Sequence, residues 1–367
     1  MLAATHDALI DNARPPRSRE TLDATAVHAW LRGRVPALAE AAAPPEVLQF
    51  PGGASNLTYL LRYAEPALEL VLRRPPFGHK AKSAHDMVRE ARLMTALAPV
   101  YPEVPAVLAV CDDAAAGPLD CEFYVMARIR GIIPRTDLPP ALGLDAPRTR
   151  QLCLNVLDRL VALHGVDWQA AGLGHLGRGE GYVQRQIEGW SRRYRDARTP
   201  DVPDFEGVMA WLAAHMPSEV GICLIHNDFR FDNVVLDPTD PLRVIGVLDW
   251  EMATLGDPLM DLGNSLAYWV RDDDEPMFQA MRRQPTNAPG MLSREEVVAY
   301  YCERTGRRVD DFTFYTIYGL FRLAGILQQI YQRFVQGNAQ NPQFGMFGSL
   351  VTVLEARCLR IIGGAAG

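Results

Sequence analysis

Residues 224–237 read LIHNDFRFDNVVLD, two apolar runs closing around His226, Asn227, Asp228, Asp232 and Asn233. Flanks of this kind place a buried strand on each side of the polar cluster. A carboxylate held beside a core without a partner is costly. The segment therefore implies a metal, a substrate proton or a local hydrogen-bond network. Asn233 stands five residues after Asp228, and a second apolar run, RVIGVLDWE, brings Asp249 sixteen residues after Asn233.

The order H-x-D, then Asn, then a strand ending in Asp matches the catalytic and metal-binding loops of protein kinases. Phosphoryl transfer explains the residue types, because it needs a carboxylate near the attacking hydroxyl and hard oxygen ligands for Mg²⁺. On this reading Asp228 is the catalytic carboxylate, His226 braces the loop, and Asn233 and Asp249 hold the magnesium. The plain alternative is a polar hairpin whose side chains cap their own backbone. The linked spacing with the second strand favours the kinase reading. Asn227 and Asp232 are left as loop hydrogen-bonders.

The rest of the chain is organised around that loop. Through about residue 25 it is polar and reads as a loose arm. AVHAWLRGRV is a short helix, and LQF, NLTYLLRY and LELVLRR alternate as half-buried strands, with Gly52-Gly53 and Glu65-Pro66 as turns. SAHDMVREARLMTAL spaces Met87, Ala91, Met94 and Ala98 along one helix face. CEFYVMARIRG is a further strand, ended by Gly131. Beyond it helices dominate, and only GICLIH and RVIGVLDW stand as short strands between them. SREEVVAYYCERTG opens on the capping-box pair Ser293 and Glu296. FTFYTIYGLFRLAGILQQIYQRF is long and apolar enough to be a core helix. The expected fold class is α+β. A small antiparallel sheet with one main helix spans 26–130, with a hinge near 126–131, and a larger helical lobe over 131–367 carries both loops.

Composition narrows the function. At 367 residues the chain can bury a large core and divide into two lobes. Its hydrophobic fraction of 48% and charged fraction of 22% are those of an ordinary globular protein. A formal net charge of −7 argues against nucleic-acid binding, which selects a basic face. The six cysteines form no CxxC pair, so buried reduced thiols and a cytoplasmic compartment are expected. The first twenty residues lack the basic-then-apolar layout of a signal peptide. No apolar stretch is long enough to span a bilayer, so no membrane association is expected.

HNDFRFDN followed by VLDWEMATLGDPLMDLGN resembles the aminoglycoside phosphotransferase and choline-kinase superfamily, which has the protein-kinase-like two-lobed fold. The likeness covers roughly residues 30–350. FPGGASNLTYLLR, LRRPPFG, FYVMARIRG and LDWEMATLGDP look most like the phosphotransferase domains fused in some proteins to acyl-CoA dehydrogenases. The resemblance implies ATP and Mg²⁺ as cofactors and O-phosphotransfer to a small-molecule hydroxyl. It also implies nucleotide-binding roles in the small lobe. Gly52 and Gly53 let the backbone approach phosphates, to which Ser55 or Asn56 donates. Val71 and Arg73 share a strand face, one over adenine and one toward the phosphates, and Glu90 pairs with Arg73. Met126 backs the adenine pocket, with the Ala127 carbonyl and the Ile129 amide on the base edge. Protein kinases and many relatives carry lysine where Arg73 stands; arginine is a clamp of different shape. Glu251 replaces the glycine of the protein-kinase DFG, and Asp261 is implied to accept hydrogen bonds from the catalytic-loop backbone.

GLGHLG at 172–177 fits G-x-G-x-x-G, but it follows a helix rather than a strand and marks no dinucleotide fold. His164, His175 and His215 have no metal-ligand spacing. For the acceptor, Arg185, Arg192, Arg193, Arg195 and Arg198 read either as a solvated helix face or as holders of an anionic substrate. RDDDEP at 271–276 is the only acidic cluster of the kind a polycationic antibiotic needs. A small hydroxylated metabolite is favoured. A hydroxyacyl-CoA acceptor and an acyl-CoA dehydrogenase pathway partner are what the resemblance implies. The alternatives are a nucleotide-binding pseudokinase, which Arg73 favours, and an aminoglycoside-type kinase.

Overall fold

The computed structural model describes residues 6–51, 56–77, 86–339 and 341–365. In chain order the first elements are α1 (Ala24–Arg32), β1 (Glu46–Gln49), β2 (Leu57–Tyr63), β3 (Leu68–Arg74), α2 (Met87–Leu97), β4 (Val107–Cys111) and β5 (Phe123–Ala127). Then come α3 (Ala146–His164), α4 (Tyr182–Ala197), α5 (Glu206–Ala214), β6 (Cys223–Ile225), β7 (Val234–Leu236), β8 (Val244–Val247) and β9 (Thr254–Gly256). The chain ends with α6 (Pro258–Ala267), α7 (Pro276–Ala280), α8 (Arg294–Thr305), α9 (Thr313–Val335) and α10 (Phe347–Ala365). Two compact units result: Met1–Ile133 with Val234–Glu251, and Pro134–Asn233 with Met252–Gly367.

The first unit is built on a five-stranded antiparallel sheet in the order β1-β2-β3-β5-β4. Strand alternation sends Tyr59, Leu61 and Tyr63 of β2, and Leu70 and Leu72 of β3, into a core with Val27 and Leu31 of α1 and Val125 of β5. Val71 and Arg73 consequently occupy the opposite face, in register with Met126 and Tyr124 of β5. On α2 the expected stripe holds for Met87, Ala91 and Met94, but Ala98 is exposed at the C-cap and Leu97 takes the buried place. β4 adds a strand to those expected. Its β-bulge between Val107 and Ala109 interrupts the alternation that would have marked it.

Two expectations are corrected here. The polar N-terminal segment is not loose: Arg14 bridges Gln49, the Tyr59 hydroxyl donates to the Glu20 carbonyl (2.8 Å), and Ile10 is buried. Other polar groups of the segment, Asp7 and Arg17 among them, still face solvent. The β7–β8 hairpin and the turn after it, expected in the helical lobe beyond residue 131, belong to the first unit. Ile132 pairs with Leu236, and the Val247 amide donates to the Glu103 carbonyl at 2.8 Å. Gly131 allows this approach, since a Cβ there would stand 2.4 Å from the Leu236 carbonyl oxygen.

In the second unit α9 is the central helix, with Ile317, Tyr318, Phe321 and Ala324 fully buried. It crosses α6 backbone to backbone at Gly263 and Gly319. A Cβ on Gly319 would meet the Gly263 carbonyl oxygen at 2.2 Å. This close crossing fixes α6, whose first turn supports the loop after β6. β6 pairs with β9, and the GLGHLG stretch forms a turn packed against β9, where the Thr254 hydroxyl donates to the Leu176 carbonyl. Among the described residues no helix is long and apolar enough to cross a membrane.

Candidate active site

The loop after β6 is held from below by one carboxylate. Asp261, on the first turn of α6 and wholly buried, accepts the backbone N–H of His226 (2.8 Å) and of Asn227 (2.7 Å). It also accepts from His164 Nε2 at 3.0 Å, and His164 Nδ1 meets the Tyr301 hydroxyl at 2.7 Å. Burial pushes the Asp261 carboxyl up, but the hydrogen bond and charge of His164, with the backbone bond of His226, outweigh it. The carboxyl is held below its ordinary 3.8. A depressed folded pKa contributes stability that is complete above the ordinary value and is lost as pH falls through the folded one. Asp261→Asn is expected to cost about 2–3 kcal/mol, because one amide cannot accept from all these donors. The loss should show in chemical denaturation at neutral pH and shrink below pH 4, where the wild type loses the same contribution.

Above this brace, Asn227 sits at φ 65°, a left-handed conformation that asparagine tolerates. Its side chain donates to the Met252 carbonyl at 3.1 Å and accepts from Asn264 at 3.0 Å. The Asp228 amide donates to His226 Nδ1 (3.2 Å), which leaves the proton of the neutral ring on Nε2. His226, fully buried, is thus a loop brace. The Asp228 carboxylate accepts from Asn233 Nδ2 at 3.0 Å and from Arg230 Nη2 at 3.2 Å. Asn233 Nδ2 also donates to the Asp228 carbonyl at 2.8 Å, so the Asn233 nitrogen points inward and its Oδ1 outward. Arg230 reaches Asp232 at 3.3 Å and lies over the Tyr268 ring, 4.6 Å from its centroid. Gln284 ties the assembly together, accepting from the Phe231 amide and donating to the Tyr268 carbonyl.

In the first unit the site residues gather on Arg73. Its Nη2 lies 2.6 Å from Asp249 Oδ1 and 3.1 Å from Glu251 Oε2, and its Nε lies 3.6 Å from Glu90 Oε2. Glu90 on α2 is 1% exposed. Burial raises its carboxyl above the usual range despite the facing Arg73 charge. The Tyr124 hydroxyl beside it is pushed well up by burial and by Glu90. Asn56 Nδ2 donates to Glu251 at 2.6 Å, and Arg89 donates to the Glu251 carbonyl. Asp249 is held at φ 67°, a conformation that costs a non-glycine residue energy and persists where surroundings impose it. Trp250, fully buried, pins the turn through its indole N–H to the Val247 carbonyl (2.8 Å). Val71 and Met126 face each other across β3 and β5, Ala127 ends β5, and Ile129 lies half-buried against Gly246. Gly52, Gly53 and Ser55 lie outside the described residues.

The expected acceptor residues divide. Arg185 caps the Gly179 and Glu180 carbonyls, and Arg195 pairs twice with Glu206 at 2.7 Å. Arg193 instead stacks on Trp190 (4.7 Å). Half of the acidic run is neutralised internally, while Asp272 and Asp273 are exposed. Asp274 is bonded by Arg294 and Arg357, Glu275 by Arg357 and Arg360, and Asp272 by Asn287.

Two arginines went unread in the sequence. Arg230 sat inside the opening motif between two aspartates, and that D-x-R-x-D alternation was its signal. Arg322 is the one charged residue between Thr313 and Tyr331 of an apolar helix. It is 4% exposed and makes a cation–π approach to the Trp190 ring, 5.4 Å from its centroid. Such a contact contributes up to about 2 kcal/mol. Burying a charge costs several kcal/mol.

The phosphotransferase enzyme family model matches residues 46–297. Acyl-CoA dehydrogenase family member 10 of Mus musculus is 34% identical over 342 residues, 93% of this chain and 31% of that protein. Family member 11 of Homo sapiens is 31% identical over 326 residues, 88% of this chain and 41% of that protein. The chain therefore spans well under half the length of these curated relatives. A Ralstonia eutropha chain assigned to the aminoglycoside phosphotransferases is 32% identical, with a TM-score of 0.76 covering 93% of this chain and 98% of that one. Choline kinase of Cryptosporidium parvum, 12% identical with a TM-score of 0.63 over 93% and 96%, shares the fold. The chain belongs to the phosphotransferase enzyme family and is built on the protein-kinase-like two-lobed α+β fold.

Proposed function

We propose that the chain is an ATP-dependent, Mg²⁺-requiring kinase for a small hydroxylated metabolite, with a hydroxyacyl-CoA as the favoured acceptor. The observation that carries this reading is Asp228, a carboxylate fixed by Asn233 and Arg230 on a loop that Asp261 clamps. In the proposed step the acceptor oxygen attacks the γ-phosphorus and its proton passes to Asp228. The bond from that phosphorus to the bridging oxygen breaks, and ADP leaves with the electron pair. Magnesium, when bound, neutralises the charge of the phosphates. Asp249 and Asn233 Oδ1 are its proposed ligands, two hard oxygens of the kind Mg²⁺ accepts beside phosphate and water. Gly52, Gly53, Ser55, Asn56, Val71, Arg73, Glu90, Met126, Ala127 and Ile129 are assigned to the nucleotide.

The acyl-CoA preference is supported by the names of the relatives and by the 271–276 run, where Asp274 and Glu275 are already paired with arginines of this chain. A cytoplasmic location is part of the reading, supported by six free cysteines. The test is a panel of hydroxyacyl-CoA thioesters, amino alcohols and aminoglycosides with ATP. Transfer to a thioester, abolished by EDTA, is expected; preference for an aminoglycoside would refute the acceptor assignment. A second reading, a nucleotide-binding module without turnover, is favoured by the 2.6 Å contact that Arg73 makes on the proposed ligand Asp249. ATP-induced stabilisation with no acceptor used would support it.

A further inference from the structure

The acceptor side can be taken further, on the reading of the reaction given above. Trp190 of α4 lies on α9 at Gly325, where an added Cβ would stand 3.0 Å from the indole. Two guanidinium groups share that indole, Arg193 at 4.7 Å and Arg322 at 5.4 Å from the ring centroid. Arg193 is exposed and Arg322 buried, and among the described residues neither forms an ion pair with a carboxylate. Arg322, 4% exposed, is thus a largely desolvated cation that no carboxylate pairs among the described residues.

The field of this cation reaches three tyrosine hydroxyls. The Arg322 charge acts on the Tyr182, Tyr268 and Tyr318 hydroxyls, and the Arg193 charge also acts on that of Tyr318. Tyr182 donates to Asn227 of the catalytic loop, and the Tyr268 ring carries Arg230, the partner of Asp228. Tyr318 stands one helical turn before Arg322 on α9, while Tyr182 and Tyr268 are tied to Asn227 and Arg230 of the loop. An anion there would gain charge-assisted bonds from a guanidinium fork and would balance the buried charge of Arg322.

We propose that Arg322, with Arg193 beside it, is the anchor for an anionic group of the acceptor, so that the enzyme selects hydroxylated anions over hydroxylated amines. A free carboxylate and a coenzyme A phosphate are two sources of that anion. The experiment compares 4-hydroxybutanoate, its CoA thioester and 4-aminobutan-1-ol, by turnover with ATP and by titration calorimetry with a non-hydrolysable ATP analogue. Arg322→Gln is expected to weaken the anionic acceptor at least about 30-fold in KM or Kd, with smaller loss in kcat. Arg322→Lys should restore part of the binding, and ATP-induced stabilisation should be unchanged in both variants, which shows that they fold. Loss confined to the thioester places the anion on coenzyme A; loss for the free acid places it on the carboxylate. Unchanged affinity in Arg322→Gln, or a preference for the amino alcohol in the wild type, overturns the proposal. Arg322-dependent binding without turnover would leave this anchor standing while removing the kinase reading.

Discussion

Asp228→Asn lowers kcat for phosphoryl transfer by about 10³-fold and leaves the KM for acceptor within a few-fold. The substitution is nearly isosteric. Asn233 Nδ2 and Arg230 Nη2 both donate to one carboxylate oxygen, and the new amide can present its own oxygen to them. The loop keeps its shape because its backbone hangs on Asp261 rather than on Asp228. Only the capacity to take the acceptor proton disappears. Steady-state rates, with ATP-induced thermal stabilisation as the folding control, make the measurement. Retention of more than a tenth of kcat would remove Asp228 from the catalytic role.

Arg73→Met destabilises the first unit by about 3–5 kcal/mol, the range for breaking a buried ion pair from one side. Glu90, 1% exposed, is left as an uncompensated charge, and Asp249 and Glu251 lose the cation between them. The sign of the pH dependence is fixed by Glu90, whose carboxyl burial raises above its ordinary 4.5. A raised carboxyl takes up its proton on folding, so its stabilising share is lost as pH rises through the folded value. The defect should therefore shrink on acidification. Arg73→Lys should recover part of the stability, because one ammonium restores the charge but cannot fork to three carboxylates. Equal stability of Arg73→Met and wild type would show that the cluster is solvated.

The sequence made the catalytic loop legible because its polar residues stand at fixed offsets between apolar strands, and local spacing is what a linear reading measures. The partners of those residues lie far along the chain. Arg73 and Asp249 are 176 residues apart, and only the fold shows Arg73 serving three carboxylates at once. Charge compensation was equally hidden. RDDDEP looked like an open acidic cluster, yet Arg357, 83 residues on from Asp274, takes Asp274 and Glu275 out of it. The β-bulge in β4 and the polar bonding of the N-terminal segment broke the patterns by which strand and packed chain are recognised. Arg322 escaped because an apolar helix with one arginine satisfies the rule for a core helix while containing the exception that matters.

The central claim is the transfer of the γ-phosphoryl group of ATP to a small-molecule hydroxyl, and ³¹P NMR of the full chain with ATP, Mg²⁺ and a hydroxyacyl-CoA tests it directly. The account predicts a new phosphomonoester resonance growing in step with ADP, absent with Asp228→Asn. ADP appearing with inorganic phosphate alone, or no loss of ATP across hydroxylated acceptors, would contradict it.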